Sequence, residues 1–470
     1  MDEPARKQVW TPQIDGTDRP IYLAIADAIH TAITAGELNA GDRLPTHRAL
    51  ADALGVDLTT ITRAYAEARR RGLLQATVGR GTFVAPKAQP QTARLRRPED
   101  PIDLTMNLPP LPPDLADCLQ RGVLRLLAGS EPAELLTYRS GAGTPEERTA
   151  GAVWLRPTLG DTDPERVLVC PGAQPALGAV LRAVAEPGDV VIADKLTYPG
   201  MRAAAIQLGI RLLGVDADAE GLLPDAVDKA CQEIQPKALY CVPTIHNPTA
   251  VTVPLERRHA LAETARRNRL HIIEDDAYGL LPSVPLPALA ALAPGISFHL
   301  ATVSKVLSPA LRAAYLVVPD ARWAAQLCAV LRASVLMAAP LLTGLLTAWI
   351  QDGTAGAVAS RIRRESVARQ TIAREILPAG SFNAHPEGLH VWLPLPPRWD
   401  RRDFVAQLRR QGGLAVVPSD AFAVSADRPV PEAVRISLGA APSREALRGA
   451  LRSVAAVLRQ EVLMPFSEVV

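Results

Sequence analysis

Residues 297–319, SFHLATVSKVLSPALRAAYLVVP, place one lysine between two strand-like runs. ISFHL and AAYLVV are short and apolar with chain breakers around them, which is typical of strands in a sheet covered on both faces. Lys305 stands in the connection, and Arg312 follows it seven residues later. Apolar surroundings make a lysine lose its proton more easily, and a neutral amine can form a Schiff base with an aldehyde. The sequence therefore predicts a reactive lysine between two buried strands.

Five more runs of the same kind alternate with helical segments upstream of this one. They are RVLVC, DVVIA, RLLGV, ALYCV and LHIIE. Alternation of strands and helices predicts an α/β domain with a mainly parallel sheet. Ligands of such sheets bind beyond the carboxyl ends of the strands, so the residues at those ends are the candidates for a site.

Several strand ends carry residues suited to binding. Residues 171–175, PGAQP, open a helix whose free N–H groups can bind an anion, although such a joint equally serves structure alone. Tyr198 follows DVVIA and suits either stacking on a flat ring or ordinary packing, and Asn247 lies in an Asn-Pro turn. LHIIE runs into three successive acids, residues 274–276, which are costly to bury unless they meet a cation.

The first 86 residues predict a DNA-binding module. IYLAIADAIHTAITAG, THRALADALGV and DLTTITRAYAEARRRG read as three helices, with Asp57 as the cap of the third, and form a helix-turn-helix. LLQATVGRGTFV reads as two strands around a glycine-flanked arginine, which suits a narrow minor groove. A small basic packing module is the alternative. The candidate DNA contacts are Arg48, Thr59, Thr60, Arg63 and Arg80.

Length and composition set the domain organisation. A chain of 470 residues exceeds one ordinary core. We predict a DNA-binding domain over residues 1–86, a proline-rich linker over 87–101 and a large domain over 102–470. Residues 1–98 carry a net charge of +4 and the remainder −2. The five scattered cysteines, without a C-x-x-C pair, indicate neither a disulfide framework nor a zinc site, and no metal is expected.

The beginning of the chain lacks the layout of a signal peptide, so a cytoplasmic protein is expected. Residues 333–350 are uncharged, but Pro340 and Gly344 interrupt them. Buried helices are predicted there in preference to a membrane span.

These motifs resemble known families. Residues 1–86 resemble the winged helix-turn-helix of GntR-type bacterial regulators, in IYLAIADAI, GDRLPTHRALA, ITRAYAEARRRGLL and VGRGTFV. Residues 102–470 resemble a fold type I aminotransferase, and the whole architecture resembles the MocR group of GntR regulators. The resemblance implies an α/β effector domain with a mainly parallel sheet, a smaller C-terminal α+β lobe and pyridoxal 5′-phosphate as cofactor.

The resemblance also implies roles for the site residues. Lys305 would form the internal aldimine, Asp275 would pair with the pyridine nitrogen, and Tyr198 would stack on the ring. Asn247 and Tyr278 would hold the phenolic oxygen. Arg435 would grip the α-carboxylate of a substrate or effector. The phosphate would be bound by Ala173, Gln174, Thr302, Ser304 and Arg312, and in a homodimer also by Tyr138 of the neighbouring subunit.

Two functions fit these residues. The first is a regulator that binds double-stranded promoter DNA and senses pyridoxal phosphate, or an amino-acid-like amine through an external aldimine. The alternative is a catalytically active aminotransferase that carries a DNA-binding domain. A regulator is expected to bind an operator with little turnover, and an enzyme to show rapid half-transamination. The intact recognition helix and wing favour regulation.

Overall fold

The computed structural model describes residues 10–12, 20–39, 41–77, 81–85, 102–129, 132–139, 141–425 and 429–460. The chain divides into two compact units, Met1–Glu99 and Asp100–Val470. The predicted linker, residues 87–101, and the predicted DNA contact Arg80 lie outside the described residues.

The first unit is the predicted helix-turn-helix followed by a hairpin. The side chain of Asp57 caps the third helix by accepting a hydrogen bond from Thr59 N at 2.7 Å. Gly55 ends the second helix at φ 63°, a left-handed conformation that favours glycine. Tyr65 is fully buried and donates its hydroxyl to Pro45 O. The elements are α1 (Ile21–Thr34), α2 (His47–Leu54), α3 (Leu58–Arg70), β1 (Leu74–Thr77) and β2 (Gly81–Val84).

The second unit alternates strands and helices, as the apolar runs predict. Its strands are β3 (Ile102–Asp103), β4 (Val167–Cys170), β5 (Val190–Asp194), β6 (Arg211–Val215), β7 (Ala217–Asp218), β8 (Gly221–Leu222), β9 (Ala238–Cys241), β10 (His271–Asp275), β11 (Ser297–Thr302), β12 (Ala314–Val317), β13 (His390–Pro394), β14 (Leu414–Ala415), β15 (Val417–Pro418) and β16 (Ala433–Ser437). Its helices are α4 (Leu115–Leu127), α5 (Pro145–Leu159), α6 (Ala173–Val184), α7 (Pro199–Gln207), α8 (Pro224–Ile234), α9 (Leu255–Arg267), α10 (Leu289–Leu292), α11 (Ala321–Val335), α12 (Pro340–Gln351), α13 (Thr354–Ile376), α14 (Arg401–Gly412) and α15 (Arg444–Arg459). Short 3-10 turns cover Pro132–Leu136, Pro164–Arg166, Pro309–Leu311 and Ser419–Phe422.

The large sheet contains all seven predicted strands. Within the described residues its order is β4-β12-β11-β10-β9-β5-β6. Strands β11, β10, β9, β5 and β6 are parallel neighbours, whereas β12 is antiparallel to both β11 and β4. Strand β4 therefore runs in the same direction as the parallel set, and its carboxyl end lies at the same edge.

The second unit has a separate small lobe around a second apolar core. Antiparallel strands β13, β16 and β15 form its sheet, and β14 pairs in parallel with β3. Residues of α13, α14 and α15 complete this core. The antiparallel sheet and its helices are the α+β lobe that the resemblance implies.

Residues 333–350 form the end of α11 and most of α12, in which Leu345, Leu346 and Trp349 are buried. The prediction of a buried helix is confirmed for α12, whereas residues 333, 334 and 336 are exposed. Among the helices that the structure describes, none is long and apolar enough to cross a membrane.

Candidate functional site

The predicted site residues lie at the carboxyl ends of the parallel strands. Residues 172–174 follow β4, Tyr198 follows β5, Asn247 follows β9, Asp275 ends β10, and residues 302–305 end and follow β11. Because these strands share one direction, their carboxyl ends meet at one edge of the sheet. The fold therefore brings together residues that are far apart in the sequence.

Lys305 lies in the connection between β11 and β12, as predicted, and is partly buried. Its Nζ donates a hydrogen bond to the backbone oxygen of Asn107 at 2.6 Å. Burial, reinforced by the positive charge of Arg435, lowers the pKa of Lys305 to about 8, while Asp275 acts in the opposite direction. Near neutral pH the amine is therefore closer to its reactive form than an exposed lysine would be.

Asp275 is a buried acid at the mouth of β10. Tyr240, on the adjacent strand β9, donates its hydroxyl to Asp275 Oδ2 at 2.7 Å. Burial raises the pKa of Asp275 to about 6 in spite of this hydrogen bond. A cationic partner would restore the charged carboxylate, which is the role predicted for a pyridinium nitrogen.

Tyr278 is almost fully buried, and its hydroxyl accepts a hydrogen bond from Asn107 Nδ2 at 2.8 Å. The same amide nitrogen lies 3.0 Å from His390 Nδ1. Since Asn107 supplies a donor to the Tyr278 oxygen, the phenolic hydrogen of Tyr278 is left to point elsewhere. Asn107 thus contacts Tyr278 through its side chain and Lys305 through its backbone.

Arg435, on β16 of the small lobe, reaches the same site. Its Nη1 donates to Asn247 Oδ1 at 2.7 Å, and its Nη2 donates to Thr105 O. The guanidinium carbon lies 5.0 Å from the centre of the Phe422 ring, a cation–π arrangement. Among the described residues, the buried Nε atom of Arg435 has no hydrogen-bond partner. A buried fork with one unused donor is suited to a carboxylate.

The residues predicted to bind the phosphate, called the phosphate seat below, come from two segments on either side of β12. They are Ala173, Gln174, Thr302, Ser304 and Arg312. Cys170 of β4, Ala314 of β12 and Thr302 of β11 form one row across the sheet. This row places the turn after β4 beside Ser304 and Arg312. Gly172 caps α6 at φ 111°, and a Cβ there would lie 3.0 Å from Arg312 Nη2. The backbone conformation favours glycine at this position, and Arg312 lies directly against it.

Other contacts place the remaining seat residues. Thr302 Oγ1 donates to Ser304 Oγ at 3.0 Å and accepts from Ser304 N at 3.2 Å. Gln174 Nε2 donates to Gly200 O at 2.7 Å, which joins the start of α6 to the start of α7. The N–H groups of Ala173 and Gln174 belong to the first turn of α6, where an anion is favoured.

Tyr198 lies among the charged groups of the site. Burial raises the pKa of its phenol, as does the carboxylate of Asp275, while Arg312 and Arg435 lower it. Tyr138, in contrast, is 80% exposed and lies just beyond the turn Pro132–Leu136. The structure brings Tyr198 to the site, and Tyr138 remains a surface residue of the single chain.

The predicted DNA contacts lie on the first unit. Arg48 on α2 and Thr59 and Arg63 on α3 are exposed, and Thr60 is half-buried. The guanidinium carbon of Arg63 lies 5.3 Å from the centre of the Tyr22 ring on α1, so its stem is supported while the residue stays accessible. Thr59 Oγ1 donates to Asp57 Oδ1, and it can still accept a hydrogen bond from the amino group of a base.

The residues at the sheet edge fit pyridoxal 5′-phosphate. Lys305 would supply an amine for the aldehyde, Asp275 an anion for the ring nitrogen, and Tyr278 a hydroxyl for the phenolic oxygen. The close approach of Arg312 to Gly172 leaves a cradle that combines a cation with a helix start, as a phosphate requires.

Sequence reasoning missed Asn107, Tyr240 and His390. Tyr240 carried a usable signal, because a phenol inside the buried strand ALYCV needs a hydrogen-bond partner. Asn107 carried little signal, since its partners Tyr278 and His390 are 171 and 283 residues away. No local pattern predicts contacts of that range.

Comparisons with known proteins agree with this geometry. Residues 99–454 match the family described as aminotransferase class I and II, and residues 21–84 match the gntR family of bacterial regulatory proteins. The uncharacterized HTH-type transcriptional regulator YdeF of Bacillus subtilis is 30% identical over 444 residues, covering 94% of this chain and 95% of that protein. The vitamin B6 salvage pathway transcriptional repressor PtsJ of Salmonella typhimurium is 30% identical over 407 residues, covering 86% of this chain and 91% of that protein.

Solved structures resemble the second unit. LysN, an alpha-aminoadipate aminotransferase of Thermus thermophilus crystallised with N-(5′-phosphopyridoxyl)-L-leucine, matches with a TM-score of 0.68 and 26% identity, covering 76% of this chain and 92% of that one. Pyridoxal 5′-phosphate is the cofactor of this family. The chain therefore belongs to the GntR family of bacterial regulators, in the MocR-type group whose DNA-binding domain precedes an aminotransferase-like domain.

Proposed function

We propose that this chain is a pyridoxal-phosphate-dependent transcriptional regulator that binds promoter DNA through its first unit. Its second unit would hold the cofactor at Lys305 and sense either the cofactor itself or an amino-acid-like amine. The names of two relatives support the first sensing mode. PtsJ is a repressor of vitamin B6 salvage, and PdxR of Corynebacterium glutamicum, 29% identical, is a pyridoxine biosynthesis regulator.

The observation that carries this proposal is the environment of Lys305. Its side chain is partly buried, its amine donates to Asn107 O, its pKa is lowered to about 8, and the Asp275 carboxylate acts on it. When bound, the cofactor supplies an aldehyde for this amine and a pyridinium ring that withdraws electrons. In our proposal Asp275 keeps the ring nitrogen protonated, and Asn247 and Tyr278 orient the ring through its phenolic oxygen.

The remaining residues have supporting roles in the proposal. Tyr198 would stack on the ring, and Arg435 would bind the carboxylate of an effector amine. The phosphate would be held by Ala173, Gln174, Thr302, Ser304 and Arg312. Arg48, Thr59, Thr60 and Arg63 would contact DNA from the first unit, with Arg80 of the wing.

A homodimer belongs to the same proposal. Leu136 and Tyr138 are 78% and 80% exposed in the single chain, although both have large apolar surfaces. Neighbouring apolar side chains with such exposure support an interface with a second copy, and Tyr138 would then reach the partner's phosphate seat.

An active aminotransferase is the second candidate. Arg435 favours it, because a buried guanidinium with an unused donor at the site suits the carboxylate of an amino acid substrate. The two candidates differ in the outcome of amine binding. In a regulator amine binding changes DNA affinity, and in an enzyme it ends in transfer of the amino group.

The test uses the full-length protein and DNA upstream of its own gene. We expect the wild type to take up pyridoxal phosphate, seen as a new absorbance band, and uptake to change its DNA affinity about 5-fold to 150-fold, the usual range of coupling between two sites. Lys305→Ala should lose both the band and the change in affinity. Lys237→Ala removes a surface lysine paired with Asp189 and should keep both.

Two results would contradict the regulator. One is uptake of the cofactor with an unchanged DNA affinity. The other is rapid conversion of an amino donor to its keto acid by a protein that does not bind the upstream DNA, which would favour the enzyme.

A further inference from the structure

Residues 102–108, at the start of the second unit, are tied to the candidate site through two backbone oxygens. Lys305 Nζ donates to Asn107 O at 2.6 Å, and Arg435 Nη2 donates to Thr105 O. An aldehyde would react with Lys305 Nζ, and a carboxylate would bind the guanidinium of Arg435. The two hydrogen bonds that residues 102–108 accept from Lys305 and Arg435 are therefore ones that ligands would remove.

Asn107 is fixed by its side chain as well. Its amide nitrogen contacts the Tyr278 hydroxyl and His390 Nδ1, and its Oδ1 accepts from Ser437 Oγ at 3.3 Å. Burial, with the charge of Arg435, lowers the pKa of His390 to about 3, so its ring is neutral. His390 Nε2 lies 3.2 Å from His246 O, which requires the proton on Nε2 and leaves Nδ1 to accept from Asn107. The orientation of the Asn107 amide follows from this pairing.

The same residues belong to the small lobe. Leu104 N donates to Ala415 O at 2.9 Å, and Ser437 N donates to Leu104 O at 3.0 Å. A Cβ on Gly439 would lie 1.8 Å from Leu108 O, so residues 102–108 also pack closely on the chain after β16. Lys305 belongs to the large lobe. The hydrogen bond from Lys305 to Asn107 therefore joins the two lobes of the second unit.

We propose that residues 102–108 act as the sensor of the site, because ligand chemistry at Lys305 and Arg435 removes and restores their two hydrogen bonds to the site. This inference rests on the proposed function. It connects ligand binding at the site to the DNA-binding unit, since residue 102 follows directly on the predicted linker to that unit.

Three states follow from the chemistry. With both side chains free, both hydrogen bonds form. Condensation of Nζ with the aldehyde forms a C=N bond and releases one water. Nζ then keeps at most one hydrogen, which the ortho-hydroxyl of the aldehyde ring shares, and Asn107 O loses its donor. An incoming amine that bears a carboxylate then displaces Nζ from the carbon of the C=N bond and forms its own C=N bond there, without oxidation or reduction. It returns Lys305 as a free amine and engages Arg435, so that Asn107 O regains its donor and Thr105 O loses one.

Hydrogen exchange of the full-length protein, read by mass spectrometry on peptides that cover residues 102–108, tests the sensor. Pyridoxal phosphate should speed exchange of these amides about fivefold to tenfold over the cofactor-free protein, the factor for one lost hydrogen bond. Lys305→Met, which keeps the stem and removes the donor, should show the fast rate without cofactor and no response to it. Lys237→Ala should behave as the wild type.

Gly439→Ala supplies a positive control, because the added Cβ displaces Leu108 without touching Lys305. It should exchange fast in residues 102–108 and still take up the cofactor. Absorbance separates the two possible failures. If the wild type shows no absorbance band, the proposed function is contradicted. The exchange rate of residues 102–108 in Lys305→Met alone then tests the sensor. A band with unchanged exchange, or wild-type exchange in Lys305→Met, overturns the sensor.

Discussion

Glu274 and Asp275 are neighbours on β10, and both carboxylates are buried, but the protein surrounds them differently. Glu274 accepts hydrogen bonds from two N–H groups at the start of α10, at 2.8 and 2.9 Å, and pairs with His299 Nδ1 at 3.0 Å. Asp275 accepts one from the Tyr240 hydroxyl at 2.7 Å. Successive side chains of a strand point to opposite faces, so the two acids have separate environments.

The two environments have opposite electrostatic results. Burial raises the pKa of Glu274, but His299, the charge of Arg258 and the N–H of Ala290 together outweigh burial and lower the pKa overall. Burial raises the pKa of Asp275 to about 6, and the hydrogen bond from Tyr240 offsets it only in part. The fold itself solvates Glu274, whereas the fold compensates the charge of Asp275 only in part. A buried acid of the scaffold differs in this way from a buried acid of a site.

Glu274→Gln should have the largest effect on stability. The change takes from His299 the nearer of two buried carboxylates, leaving Asp276 at 3.8 Å, and turns one acceptor into a donor that faces N–H groups. Breaking a buried pair in this way costs roughly 3–5 kcal/mol, which urea unfolding would measure. Glu263→Gln, in an exposed pair with Arg266, is the matched control and should cost less than about 1 kcal/mol. Equal costs for the two variants would mean that Glu274 is not a scaffold acid.

Asp275→Asn should have the opposite sign in the cofactor-free protein. The folded pKa of about 6 lies above the ordinary value of 3.8, so the folded state binds more protons than the unfolded state between these values. Wild-type stability therefore falls as pH rises from about 4 to 6. The variant should be more stable by roughly 3 kcal/mol at pH 8, with no gain below about pH 4. Urea midpoints across this range would measure it, and a loss at pH 8 would contradict the comparison.

Tyr240→Phe should have the smallest effect of the three. It removes the hydrogen bond to Asp275 and should destabilise the cofactor-free protein by about 1.5 kcal/mol at pH 8, where the carboxylate is charged. Below about pH 6 the carboxyl is protonated and the loss should shrink. The same urea series would measure it. A loss that does not change with pH would assign Tyr240 to packing alone.

Much of this architecture could be predicted from the sequence. The seven strands of the large sheet were predicted because each is a short apolar run between breakers. Lys305 was predicted from its place between two of them. The helix-turn-helix was predicted from apolar spacing and the Asp57 cap, and the structure contains the three helices and the cap. The predicted roles of the individual site residues remain proposals.

The division between Glu274 and Asp275 could not be predicted. In LHIIEDDAYG the three acids are equivalent, and His299 reads only as part of an apolar strand. Glu274 and His299 meet because they are opposite each other in the register of β10 and β11. Asn107 likewise meets Ser437 over 330 residues of chain. Such contacts depend on strand order and register, which apolar periodicity does not determine.

The position of β12 between β4 and β11 has a consequence for synthesis of the protein. The two halves of the phosphate seat leave the ribosome more than 120 residues apart, and β12 joins them only after Val317 has emerged. A nascent chain that ends earlier has the helix start after β4 but not Arg312 in place beside it. The predicted phosphate seat is therefore assembled only in a chain whose large sheet has closed.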